Sequence, residues 1–95
     1  MKTIEEQGMT PIYMVVLTND YDDTEVLAIV YNEDLAMRQF HGAPDETTGC
    51  GEWYVRVLES GIEDMSDPEE IDEVTDALWH GDGDIIAERK LINAR

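Results

Sequence analysis

The stretch that decides the fold is IYMVVLTNDYDDTEVLAIVYN, residues 12–32. Residues 12–18 are rich in β-branched and aromatic side chains and are apolar throughout, which predicts a central strand buried on both faces. The polar run 19–23 predicts a turn, because Asn and Asp bond to their own backbone and tolerate the left-handed conformation. Residues 24–32 predict a second strand. The stretch therefore predicts a β-hairpin with a loop of about five residues.

The residues that follow the hairpin predict a helix. Asn32 is suited to the N-cap, and Gly42 is suited to the C-terminal stop. Three apolar residues fall at helical spacing between them and are expected to face the core. They are Leu35, Ala36 and Phe40.

The second half of the chain adds a loop at residues 43–51 and a third strand at residues 52–60, whose two faces alternate. A second helix is predicted for the acidic stretch SDPEEIDEVTDALWH, residues 66–80. Asp67 or Ser66 caps it, Pro68 suits its first position, Glu70 suits a capping box and Gly81 ends it. Residues 85–93 fit either an edge strand or a short helix.

This order of elements, β-β-α-β-α followed by a strand or a helix, predicts an α+β fold. We expect a two-layer sandwich in which a small, mainly antiparallel sheet carries two helices on one face. Residues 1–10 are expected to be a flexible N-terminal segment and residues 11–95 a single domain. The lone Cys50 and the absence of an apolar leader indicate a cytoplasmic protein.

The charge of the chain is its most unusual property. Asp and Glu number 23 against 6 Lys and Arg, which gives a formal net charge of −17. Binding to nucleic acid or to an anionic membrane needs clustered Lys or Arg, so we expect neither. A basic protein is the partner that this charge favours, and a homo-oligomer is also compatible with it.

The sequence offers little support for catalysis. His41 and His80 stand at predicted helix ends, where the helix dipole favours a protonated imidazole. A Cys50–His41 nucleophile lacks an evident third group, and no phosphate-binding or nucleophile-elbow motif is present. We therefore predict a protein that is not an enzyme and has no cofactor.

Metal binding is weakly supported. One Cys and two His do not supply the four ligands of a structural zinc site. An EF-hand needs a glutamate at its twelfth position, but counting from Asp20 gives Tyr31 and counting from Asp82 gives Asn93. A specific metal site is not predicted, and weak divalent-cation binding by the carboxylate-rich turns remains an alternative.

The acidic helix is the candidate binding site. Between residues 57 and 88 there are twelve acidic residues and no Lys or Arg. Like charges three or four residues apart destabilise a helix by about 0.2–0.5 kcal/mol per pair. A helix whose charges serve only solubility avoids this cost by alternating positive and negative residues. The helix is therefore either an ordinary solvated helix or a surface for a basic partner, with Trp79 as an anchor or as the edge of the core. The candidate partner-binding residues are Glu69, Glu70, Asp72, Glu73, Asp76 and Trp79.

Residues 12–58 also carry a resemblance to a class of proteins. They combine a strand, a D-Y-x-D-type turn, a second strand, a short helix with an alanine and a strand with aromatic residues. The matching residues are Tyr13, Val15, Asp20, Tyr21, Asp23, Val26, Ala28, Val30, Tyr31 and Ala36. This pattern resembles small uncharacterised phage and prophage proteins, which implies a fold and a phage origin but no catalytic residue.

In size and charge alone, the chain is also similar to small acidic phage inhibitors of host nucleic-acid machinery. We therefore predict a non-enzymatic, phage-encoded acidic protein of the host cytoplasm. It would bind and inhibit a basic host protein by mimicking nucleic acid. A small self-associating structural or accessory domain is the alternative from another class.

Overall fold

The computed structural model describes residues 4, 6–19, 21, 23–49 and 51–93. These residues form six strands and two helices in the order β1, β2, α1, β3, β4, α2, β5 and β6. Their bounds are β1 Thr10–Asn19, β2 Thr24–Val30, α1 Glu33–Gly42, β3 Glu46–Thr47, β4 Trp53–Ile62, α2 Pro68–Trp79, β5 Asp84–Lys90 and β6 Ile92–Asn93. The predicted α+β class is confirmed.

Four of the strands form an antiparallel sheet in the order β2-β1-β4-β5, and β3 and β6 form a short parallel pair. The predicted hairpin is the β1–β2 pair, and the predicted central strand is β1, whose residues from Ile12 to Val16 are all buried. The turn between them is held by the Asn19 side chain, which accepts hydrogen bonds from the N–H groups of Tyr21 (2.9 Å) and Asp23 (3.0 Å). The segment that fitted either a strand or a helix is the edge strand β5.

The structure corrects the expectation that both helices lie on one face of the sheet. On one face, Tyr13 and Val15 of β1 pack against Phe40 of α1. On the other face, Ile12 and Met14 pack against α2. Because successive residues of a strand point to opposite faces, the unbroken apolar run in β1 needs cover on both sides, and one helix on each face supplies it.

Helix α1 has its predicted N-cap but not its predicted C-terminal stop or the whole of its predicted core: Gly42 is the last helical residue, and Ala43, in extended conformation, is the C-cap. The Asn32 side chain accepts hydrogen bonds from the Asp34 and Leu35 N–H groups, as an N-cap does. Ala36 and Phe40 are buried, whereas Leu35 is 47% exposed, so its predicted place in the core is wrong. Leu35 lies about 100° around the helix from Ala36, outside the narrow stripe that faces the sheet.

The flexible segment predicted for residues 1–10 falls partly outside the described residues. Its described part forms a turn in which the Met9 N–H donates to the Ile4 carbonyl (3.1 Å), and β1 begins at Thr10. The flexibility of this segment and the single-domain assignment of residues 11–95 stay predictions.

Candidate functional site

Helix α2 begins and ends where its sequence predicts. The Asp67 carboxylate accepts from the Glu69 N–H (3.0 Å) and lies within 3.4 Å of the Glu70 nitrogen, and Pro68 occupies the first turn, where its missing N–H is not needed. At the other end Gly81 has φ = +89°, its N–H donates to the Leu78 carbonyl, and the next N–H donates to the Ala77 carbonyl. These are the two hydrogen bonds of a Schellman motif. Both ends of the helix are therefore fixed by their own residues.

Four carboxylates share the solvent side of α2. With about 100° of rotation per residue, Glu69, Asp72, Glu73 and Asp76 lie opposite the side that packs on the sheet. All four are exposed, whereas Leu78 on the packed side is buried. We call these four residues the acidic face.

The predicted contact residue Glu70 has a different environment. Its carboxylate accepts hydrogen bonds from the backbone N–H groups of Glu63 (2.6 Å) and Asp64 (2.9 Å). The capping box is not completed, because the Asp67 N–H donates to the Asp64 carbonyl instead (3.1 Å). Glu70 thus fixes the loop before α2, and it lies beside the acidic face rather than on it.

The same loop contains a second carboxylate that is held by hydrogen bonds. The Ser66 hydroxyl and, more weakly, the Ser66 N–H donate to the Asp64 carboxylate and lower its pKa. The loop from Ile62 to α2 is therefore stabilised by ionised carboxylates that bind its own donors, which fixes the position of the acidic helix relative to the sheet.

The acidic face is not neutralised by basic residues. Among the described residues, none of its carboxylates forms an ion pair with Lys or Arg. The His80 imidazole adjoins one end of the face, with its Nε2 3.6 Å from Asp76 Oδ1. Ion pairs to arginine and lysine form elsewhere, as Arg56–Glu88, Arg89–Asp45 and Lys90–Glu52. Hydrogen bonds from Lys90 and Tyr54 lower the pKa of Glu52, so this carboxylate is also ionised and occupied.

Trp79 stands at the end of the acidic face. Its side chain is 46% exposed, so it lies at the border of the core rather than in it. Its ring makes an edge contact with the His80 ring at a centroid distance of 4.9 Å. The structure therefore places an exposed aromatic surface beside Asp76, which is what an anchor for a partner requires.

A groove adjoins Trp79 at the C-terminal end of α2. The groove has a volume of about 570 Å³ and collects residues from all four strands of the sheet and from the end of α2. Its polar lining includes Thr18, Thr24, Arg56 and His80. These residues are distant in sequence, and no local sequence pattern groups them.

The other candidate chemistries find no support in the described residues. His41 and His80 lie at the ends of α1 and α2, as predicted. Cys50, and with it the Cys50–His41 pair, lies outside the described residues, as do Asp20 and Asp22 of the carboxylate-rich turn. The part of the chain that is described contains no group of three or more potential ligands placed to hold a metal ion.

Comparison with known protein families, curated proteins and solved structures finds no significant match to this chain. None of the helices within the described residues is long and apolar enough to cross a membrane.

Proposed function

We propose that this chain is a non-enzymatic acidic interaction protein whose acidic face binds a basic surface on a nucleic-acid-binding protein. The observation that carries the proposal is the row of four exposed carboxylates, Glu69, Asp72, Glu73 and Asp76, on a helix with capped ends. Binding there would occupy the surface that normally holds nucleic acid and so inhibit the partner. The phage origin implied by the sequence resemblance fits a partner in a bacterial host.

The spacing of these charges supports mimicry of a nucleic-acid strand. Glu69 and Asp76 are seven residues apart, or about 10 Å of helix axis, so the four carboxylates have a mean spacing of about 3.5 Å, in steps of about 4.5, 1.5 and 4.5 Å. One strand of duplex DNA carries a negative charge every 3.4 Å of axis, or about the same linear density. A basic channel that has evolved to contact phosphates would therefore meet a similar row of charges.

The rigidity of the helix supports the same proposal. The caps at Asp67 and Gly81, together with the two hydrogen bonds that Glu70 accepts, hold α2 in one position on the sheet. Charges that are held in place before binding lose less entropy when a partner arrives. The net charge of −17 adds long-range attraction, which speeds the encounter with a basic partner at low salt.

The experiment uses bacterial proteins that are retained on heparin, since these bind polyanions and include nucleic-acid-binding proteins. The wild-type chain, immobilised, should retain specific members of this fraction at about 50 mM NaCl and release them at about 500 mM. Duplex DNA should compete for the same proteins. A triple neutral variant, E69Q/E73Q/D76N, should lose them.

The matched control removes three charges from the other side of the sheet, in the variant E33Q/D34N/E46Q. Its net charge equals that of the triple variant of α2, so it should retain the captured proteins if the acidic face is the site. Capture that resists DNA competition, or that both variants lose equally, would contradict the proposal.

A further inference from the structure

The groove beside Trp79 differs in charge from the rest of the protein. Among the described residues that line it, none is Asp or Glu, although 23 of the 95 residues of the chain are acidic. Its one lining residue of the Lys or Arg type is Arg56, which forms an ion pair with Glu88, so that its charge is locally balanced. Apolar side chains, among them Val16 and Ile85, make up much of the remaining lining. The groove is therefore a neutral, partly apolar site on a protein of net charge −17.

An interface centred on the acidic face extends to this groove because α2 is short. A stable contact buries about 800 Å² on each partner, which corresponds to a patch about 30 Å across. The row from Glu69 to Asp76 spans about 10 Å, and the twelve residues of α2 span about 18 Å. Trp79 lies only about 10 Å along the axis from the centre of the row, so a patch of this size continues past Trp79 and reaches the groove.

We propose that the basic partner that covers the acidic face also places an uncharged, apolar side chain in the groove, against Trp79 and Ile85. This inference rests on the proposed function. Trp79 and Ile85 are 46% and 53% exposed, and contact with an apolar group removes both from water. The strand residues of the groove lie below the solvent side of α2, so the side chain that fills it must project from the surface of the partner.

Charge decides which type of side chain fits. A lysine or arginine of the partner would find no carboxylate among the described lining residues and would lose its hydration without gaining a counter-charge. An apolar side chain has no such cost. The groove therefore distinguishes between basic proteins, because a partner that offers only cations to the acidic face leaves Trp79 and Ile85 uncovered.

The two parts of this interface respond differently to salt. Contacts between carboxylates and cations weaken as salt is added, whereas the burial of apolar surface does not depend on screening. The acidic face therefore determines how steeply affinity falls with salt, and the groove contributes a part of the affinity that salt does not remove.

The test measures Kd by titration calorimetry with a basic protein purified from the captured fraction. I85E adds a carboxylate to the groove, and the matched control I92E adds one to an isoleucine of β6 that is 65% exposed and does not line it. Both variants gain one negative charge. I85E should nevertheless weaken binding by about tenfold or more, because its carboxylate meets an apolar group, whereas I92E should not weaken it. A cationic occupant would instead make I85E bind more tightly than wild type, which would overturn the proposal.

A substitution of Trp79 tests the apolar contact without a change of charge. W79A should weaken binding by about tenfold and leave the slope of log Kd against log salt unchanged, because it removes no charge. The matched control is L35A, since Leu35 is 47% exposed on α1 and should leave Kd unchanged. Circular dichroism and thermal unfolding establish that each variant is folded. Because Trp79 and Ile85 lie on different elements, loss of folding at one position leaves the other to decide.

Failure of this inference is distinguishable from failure of the proposed function. If E69Q/E73Q/D76N loses the partner while folded W79A and I85E bind as wild type does, only the assignment of the groove is overturned. If the triple variant binds as wild type does, or if no basic protein is captured, the proposed function is overturned and this inference with it.

Discussion

Replacing Glu73 by lysine should stabilise the protein, because the acidic face opposes the folding of its own helix. Glu73 is the sixth of the twelve residues of α2 and repels Glu69 four residues before it and Asp76 three residues after it. Each like-charge pair costs about 0.2–0.5 kcal/mol, and each opposite-charge pair gains a similar amount. Removing two repulsions and adding two attractions gives about 0.8–2 kcal/mol. For a domain of this length that raises Tm by about 5–10 °C.

The assay is thermal and urea unfolding of wild type, E73Q and E73K. E73Q should give about half the gain, since it removes the repulsions without adding attractions. At about 1 M NaCl, where the screening length is about 3 Å, most of the gain should vanish. E46K is the matched control, because Glu46 is exposed and lies outside α2, and the variant changes the net charge by the same amount.

Two results would refute this reasoning. If E73K were no more stable than wild type at low salt, the carboxylates of α2 would not oppose folding, and the argument that their arrangement serves binding would fail. If E46K gave the same gain as E73K, the effect would come from the net charge of −17 and not from the row on the helix.

Three further predictions follow from the contacts around the acidic helix and the sheet edge. Glu70→Ala should lower the free energy of unfolding by about 1–2 kcal/mol, since it orphans two backbone N–H groups, whereas Glu69→Ala should change it by less than about 0.5 kcal/mol in urea titrations. Arg89→Met should lower the free energy of unfolding by about 2–3 kcal/mol, because the guanidinium donates hydrogen bonds to three carbonyl groups at the end of α1 and in the following loop. Wild-type stability of this variant in urea would show that those hydrogen bonds are not needed. Ser66→Ala should lower the free energy of unfolding at pH 7, because it removes a hydrogen bond that stabilises the ionised Asp64 carboxylate. A carboxylate with a depressed pKa stabilises the fold only while it is ionised. The stability difference between wild type and the variant should therefore disappear as the pH falls through the pKa of Asp64, which lies below its ordinary value of 3.8. A difference that persists at pH 2 in urea titrations would exclude this origin.

The strands were predictable because their signals are local. The apolar run of β1 and the Asn and Asp residues of its turn define the hairpin without reference to the rest of the chain. The placement of the helices was harder, since each apolar stripe can pack on either face of a sheet. The sequence predicts their placement only indirectly. A strand that is apolar on both faces needs a helix on each face, which excludes the two-layer arrangement with both helices on one face.

The site was predictable in part. Helical spacing placed Glu69, Asp72, Glu73 and Asp76 on one side, because rotation per residue is a property of any helix. The role of Glu70 was not predictable, since the position that suits a capping box also lets its carboxylate reach the N–H groups of the preceding loop. The bulge that leaves Leu27 and Ala28 of β2 both packed on the α1 side depends on the register of β2 with β1, which the sequence of one strand does not specify.

The most direct test of the central claim is the salt dependence of binding to a captured basic partner. Affinity should be measured by titration calorimetry from about 0.1 to about 0.5 M NaCl, for wild type, E69Q/E73Q/D76N and the control E33Q/D34N/E46Q. If the acidic face is the site, the slope of log Kd against log salt is steep for wild type and the control and much shallower for the α2 variant. Equal slopes for all three proteins would contradict the claim that these carboxylates meet the partner.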